Sequence, residues 1–205
     1  KTYSYQTDLR SMLVVKTEQR LKDLEDLDFF SLDQEYSFNG YSVGTIRELL
    51  NTCYQAVDFL PEKSAFFHGD LCLSNIIFEP ITQSIKIFDP RGQGAGGDLC
   101  VFGNPLYDLL KLSHSIFGLY DFIIAESYTL KVSDFDFELS FDEPAVLLDL
   151  QNMFLETTFF ENFETRSVLP VLPLLFISML PLHSDSQARQ RALFANALRI
   201  YQEVK

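Results

Sequence analysis

Basic residues are scarce in this chain: 16 lysines and arginines stand against 29 aspartates and glutamates, a formal net charge of −13. Nucleic-acid binding draws on clustered Lys and Arg that release counterions, so this balance argues against a phosphate-backbone partner while leaving room for a cationic substrate. Cysteine is scarce too. Cys53, Cys72 and Cys100 are odd in number and lack paired spacing, which fits a reducing cytoplasm better than a disulfide framework or a zinc site. Long apolar runs are missing. The most apolar stretch, LPVLPLLFISMLPL at 169–182, falls short of the roughly 20 residues that span a bilayer, and three prolines interrupt it. It reads as a buried helix or a pair of short helices, with no membrane partner. The opening KTYSYQTDLR has neither an apolar core nor an initiator Met, so it reads as part of a longer chain and not as a signal peptide.

What is present is enough for a core: 205 residues, 47% of them hydrophobic, exclude disorder and allow one large domain or two small ones. From residue 8 to residue 26 apolar positions recur as an amphipathic helix, at Leu9, Met12, Leu13, Leu21 and Leu24. Thr45 with Glu48 forms a capping-box pattern, after which Ile46, Leu49, Leu50, Cys53, Val57 and Leu60 trace one helical face until Pro61. NIIFEPITQSIKIFDP at 75–90 predicts a hairpin with Asn75 and Asp89 at its open ends. Helices are expected over about 106–117, from near Pro144, and over about 186–203, the last burying Ala192, Leu193, Leu198 and Tyr201. DFDFELSF at 134–141 reads as an extended stretch on the body, at most a short edge strand. The fold class is therefore mainly α, α+β overall, with one hairpin near the middle. No internal repeat or low-complexity linker divides the chain.

The chemistry gathers around HGDLCLSN at 68–75 and IKIFDPRG at 85–92. Phosphoryl transfer needs a carboxylate beside the acceptor hydroxyl and ligands for magnesium. His68, Asp70, Leu71 and Asn75 fall in register with H-R-D-L-x-x-x-N, with Gly69 in place of the Arg, and Asp89 closes the strand where D-F-G would stand. A loop of Asx-turns and a strand-ending Asp before Pro are the bland alternatives. His68 is expected to brace the loop and not to move protons. Cys72, inside the loop, reads as a small buried packing residue. Gly92, Gly94 and Gly97 match G-x-G-x-x-G, but no helix opens there inside a βαβ unit, so a mobile activation-like loop is the better reading.

HGDLCLSNIIF, IKIFDPRG and NPLYDLLKL together resemble the aminoglycoside phosphotransferase and choline kinase-like superfamily, small-molecule relatives of the protein kinases. The resemblance covers about Ala65 to Tyr120. It implies the helical carboxy-terminal lobe of a protein-kinase-like fold, with Asp70 as catalytic base, Asn75 and Asp89 as ligands of Mg2+ on the phosphates of ATP, and Asp108 as a second brace of the loop. Arg91, and His183 with Asp185, are candidate substrate or phosphate contacts. The Pro90-Arg91-Gly92 continuation departs from the commoner pattern and resembles a subset tied to sugar or surface-polysaccharide metabolism.

Residues 1–64 read as leading helices, 65–104 as catalytic loop, metal-binding hairpin and activation-like loop, and 105–205 as a helical substrate region. No V-A-I-K-like strand or Gly-rich hairpin precedes His68, so the amino-terminal ATP lobe is expected to be missing from this stretch and present in the full-length protein. The function implied is ATP-dependent phosphorylation of a hydroxyl on a sugar, amino-alcohol or aminoglycoside in the cytoplasm. A catalytically inactive kinase-like binding or scaffold module is the alternative. Asp134, Asp136, Glu138, Asp142 and Glu143 would suit a cationic acceptor, although a solvated acidic face explains them as well.

Overall fold

The computed structural model of the chain describes residues 9–93, 99–142, 144–159 and 163–205. Its first helix changes winding along its length: π over Ser11–Val15, α over Lys16–Leu21 (α1) and 3-10 over Lys22–Leu24. Leu9, Met12, Leu13 and Leu24 are buried, the stripe that the periodicity predicts. The reading of residues 1–64 as helices is then corrected. Glu35–Phe38 (β1) and Tyr41–Thr45 (β2) pair antiparallel around Asn39 and Gly40. Both turn residues have positive φ, +52° and +76°, which is the type I′ geometry that an Asn-Gly pair adopts with least strain. Thr45 ends β2 and caps the next helix, Ile46–Asp58 (α2): its side chain accepts from the Glu48 N–H, and the Glu48 carboxylate accepts from the Thr45 N–H.

Ala65–Phe66 (β3) leads into the loop of residues 67–75 and the expected hairpin, Ile76–Glu79 (β4) with Ser84–Ile87 (β5). Phe102–Gly103 (β6) returns to pair with β3. Pro105–Ile116 (α3) starts at Asn104, whose side chain accepts from the Leu106 N–H, with Pro105 at a position where its missing N–H costs nothing. Tyr120–Ile124 (α4) precedes a second hairpin, Tyr128–Ser133 (β7) and Asp136–Phe141 (β8). β8 is not an edge strand. It lies inside a four-stranded sheet of order β2-β1-β8-β7, parallel to β1, because Ser37 and Asn39 donate their N–H groups to the carbonyls of Phe135 and Phe137. The alternation read in the sequence does set its faces, with Phe137 and Leu139 turned into the core.

Ala145–Glu156 (α5) is followed by the short pair Thr158–Phe159 (β9) and Phe163–Glu164 (β10). The apolar run near 170 is longer as a helix than the sequence reading allowed. Thr165–His183 is one helical stretch of 19 residues, 3-10 at both ends and α over Leu172–Met179 (α6). Two of its prolines, Pro173 and Pro181, fall where a new winding begins, so the stretch continues through them. By length and composition it could cross a membrane, yet Val168, Leu172, Leu174, Phe176, Ile177 and Leu180 are fully buried inside the protein. Gln187–Val204 (α7), capped by the Ser186 hydroxyl, packs along α6 and carries Ala192, Leu193, Leu198 and Tyr201 inward.

The sheet is joined to these helices by an aromatic cluster. Phe194 on α7 lies 5.1–5.8 Å, ring centre to ring centre, from Tyr36, Phe137, Phe29 and Phe30. With helix at about 52% and strand at about 21%, the composition is α+β. Gly94 and Gly97, on which the activation-like loop rested, and Glu143 lie outside the described residues.

Candidate active site

The loop at 67–75 is shaped from behind by α3. Asp108, in the first turn of that helix, reaches back so that Oδ2 accepts from the His68 N–H and Oδ1 from the Gly69 N–H, each at 2.7 Å. Burial pushes the Asp108 carboxyl above its usual range, and the two N–H groups partly offset that push. Gly69 has φ +78°, a conformation in which a side chain would be strained, and a Cβ there would lie 2.8 Å from the Arg91 Cβ. His68 ties the loop to the end of β5. Its Nδ1 accepts from the Asp70 N–H at 3.3 Å and its Nε2 lies 2.9 Å from the Phe88 carbonyl, a pair of contacts that suits the tautomer with hydrogen on Nε2. Two backbone bonds repeat the link: Arg91 N–H to His68 O at 2.9 Å and Phe88 N–H to Asn75 O at 3.1 Å. Cys72 is buried in the loop.

In front of this brace lies a cleft of about 470 Å³, lined by Asp70, Asn75, Asp89 and Arg91 among others. Asn75 is buried, and its Nδ2 donates to the Asp70 carbonyl at 2.9 Å and to Asp70 Oδ2 at 3.4 Å. Among the described residues Oδ1 of Asn75 has no partner, so the one atom of this side chain able to ligate a hard cation stays uncommitted. Asp89 takes φ +58° just past β5 and adds a carboxylate to the same cleft. Two oxygen donors fit magnesium, which binds through few protein ligands when phosphates and waters supply the rest. Among the described residues no group of three or more His, Cys, Asp or Glu comes together, so a cage made wholly of protein is not offered.

His183 and Asp185 are not brought to the cleft. Leu182 lines it instead, while the His183 ring sits 6.2 Å from that of Tyr120 and Asp185 pairs with Arg189 at 3.0 Å. Burial, with Arg189 nearby, lowers the His183 pKa. The acidic residues of 134–142 also lie elsewhere, on and beside β7 and β8. There Asp136 accepts from the Gly40 N–H, and Glu138 pairs with Lys131.

Three cations in the cleft were not singled out from the sequence: Lys16 and Arg20 from α1, and Lys111 from α3. Lys111 Nζ lies 2.8 Å from Asp70 Oδ1. Burial alone would lower its pKa, but the charge and hydrogen bond of Asp70, with help from Tyr107 and Cys72, raise it on balance. Lys16 is shifted the other way, down to about 8, by burial first and then by Arg20, Arg91 and Lys111. The sequence signals were present but quiet: Lys16 and Arg20 are four apart and Asp108 and Lys111 three apart, spacings that share one helical face. Comparison with protein-family models, with curated proteins and with solved structures finds no match to this chain.

Proposed function

We propose that this chain is the acceptor and metal half of an ATP-dependent phosphotransferase that phosphorylates a hydroxyl of a small molecule in the cytoplasm. The observation that carries the reading is that Asp70 and Asn75, on a loop braced from behind by Asp108, line one cleft together with Asp89. The resemblance of HGDLCLSN, IKIFDPRG and NPLYDLLKL to the aminoglycoside phosphotransferase and choline kinase-like superfamily supports it.

In this mechanism Lys111 and Asn75 fix the Asp70 carboxylate, and Asp70 orients the acceptor hydroxyl and takes its proton. The hydroxyl oxygen forms a bond to the γ-phosphorus while the bond to the bridging oxygen breaks, and ADP leaves with that electron pair. Asn75 Oδ1 and Asp89 would hold magnesium, whose chemistry there is to neutralise charge on the phosphates. His68 and Asp108 position the loop and touch no reacting atom. The apolar face of the β4–β5 hairpin, with Phe78, Ile85 and Ile87 exposed, is where a nucleotide-gripping lobe would sit.

Transfer of labelled γ-phosphate from ATP to a panel of sugars, amino-alcohols and aminoglycosides, by the complete protein with and without Asp70→Asn, tests the proposal. Magnesium-dependent transfer that the substitution abolishes is the expected result. Background turnover across the panel would leave a binding module in its place.

A further inference from the structure

The charge of the cleft runs against the charge of the chain. Four of the 16 basic residues line it, Lys16, Arg20, Arg91 and Lys111, against two of the 29 acidic ones, Asp70 and Asp89. Of the four, Lys111 is engaged by Asp70 and Arg20 donates to the Ser178 carbonyl at 2.7 Å. Among the described residues the Lys16 ammonium and the Arg91 guanidinium have no ion-pair or hydrogen-bond partner. Both are half-buried, and cations gathered out of bulk water in excess of the carboxylates beside them repel one another. That cost is relieved when an anion enters.

We infer that the acceptor carries an acid group of its own, a phosphate or a carboxylate, seated on Lys16, Arg20 and Arg91 beside Asp70. This rests on the phosphotransferase reading and narrows its substrate class to acidic sugars and phosphorylated alcohols, away from cationic aminoglycosides and amino-alcohols. The nucleotide's phosphates are the other anion that could use these cations. The placement favours the acceptor, because Lys16 and Arg20 come from α1, whose Arg20 is tied to α6, and not from the end of the hairpin that carries the ligand Asp89. Arg20 faces the same way, toward Ser178 just before the end of α6, in a wall that also carries Tyr120, Met179 and Leu182. Lys16 and Arg20 thus line the cleft from the α1 side, and Arg91, two residues past Asp89, lines it from the hairpin side.

Calorimetric titration of the chain, without nucleotide or magnesium, tests this with glucose 6-phosphate, glycerol 1-phosphate, glucuronate and inorganic phosphate against glucose, glycerol and choline. The acids are expected to bind, the neutral alcohols and choline at least about tenfold more weakly, and Lys16→Gln to weaken the acids about tenfold with an unchanged melting temperature. Arg91→Gln gives a second reading should the first variant misfold. The acids should still bind when magnesium and ATP are saturating in the complete protein. Absence of Lys16-dependent acid binding, binding of choline or neutral sugars as tight as that of the acids, or displacement of the acids by ATP would each overturn the inference. Its failure is separable from that of the phosphotransferase reading. Transfer to a neutral alcohol that Lys16→Gln leaves intact keeps the enzyme and removes the acidic acceptor, whereas acid binding with no transfer keeps the anion site and removes the enzyme.

Discussion

In the four-stranded sheet Tyr36, Phe38, Phe137 and Leu139 are buried, whereas in the β4–β5 hairpin Ile77, Phe78, Ile85 and Ile87 are exposed. Both regions are β-rich and apolar, so composition does not separate them. What does is the means by which each is held. The sheet is held by burial against α7, through Phe194 and its ring contacts. The hairpin, marginal on its own as two strands are, is held at its open end by polar groups, the His68 ring and backbone and the carbonyl of Asn75. On the proposed function, the polar ends that those few directional bonds hold in place are the ones with a task.

The largest expected effect is on the task. Asp70→Asn in the complete protein should keep the fold, by circular dichroism, and lower turnover roughly 100-fold to 10,000-fold, the range for loss of a general base. Near-normal turnover would remove Asp70 from the chemistry.

On the other side of the comparison, Phe194→Ala should cost about 3–5 kcal/mol in urea unfolding, since a fully buried ring leaves a void among four aromatic neighbours. A loss below about 1 kcal/mol would mean that burial is not what holds the sheet. Asp108→Ala should cost less, on the order of 1–3 kcal/mol for backbone N–H groups left unpaired. Its signature is local: hydrogen exchange at His68 and Gly69 should quicken while amides of α7 stay protected. Uniform quickening would deny the brace its separate role.

A smaller effect depends on pH. Among the described residues both buried ring nitrogens of His114 have no hydrogen-bond partner, and burial holds its pKa well below the ordinary 6.5. The unfolded chain takes up a proton near pH 6.5 and the folded chain does not, so this contribution to stability is complete above that pH and is lost as pH falls below it. The urea midpoint should drop between pH 7 and pH 5, and His114→Phe should flatten the drop. His183, also lowered, adds in the same direction. Least affected should be the hairpin face itself. Ile85→Thr should change stability by no more than about 0.5 kcal/mol, as exposed positions do, and a larger loss would show that the face is already covered.

Which of these features the sequence disclosed follows from how local their causes are. The capping box at Thr45 and Glu48, the helix from Pro105 and the hairpin at 76–87 rest on neighbouring residues and were readable. The Asn39-Gly40 turn is equally local, but the expectation of helices throughout 1–64 leaves no place for it. β8's inner position was beyond reach for another reason: it depends on a parallel pairing of Ser37 with Asp136, which no local pattern encodes. The candidate site divides in the same way. Asp70, Asn75 and Asp89 lie on one short stretch and were visible together, while Lys16, Arg20 and Lys111 meet them only after α1 and α3 have packed around the cleft.

The ties between the loop and the segment after β5 bear on motion. Bonds from the Phe88 and Arg91 backbones and the His68 ring stitch the two pieces side by side, and the Gly69 backbone lies too close to Arg91 to admit a Cβ. The backbone segments that carry Asp70 and Asp89 are therefore tied side by side and are expected to move together. Opening and closing of the cleft is then expected at its far wall, where α1 supplies Lys16 and Arg20, or from whatever docks on the hairpin. Labels for a distance measurement belong on that wall and not on the loop.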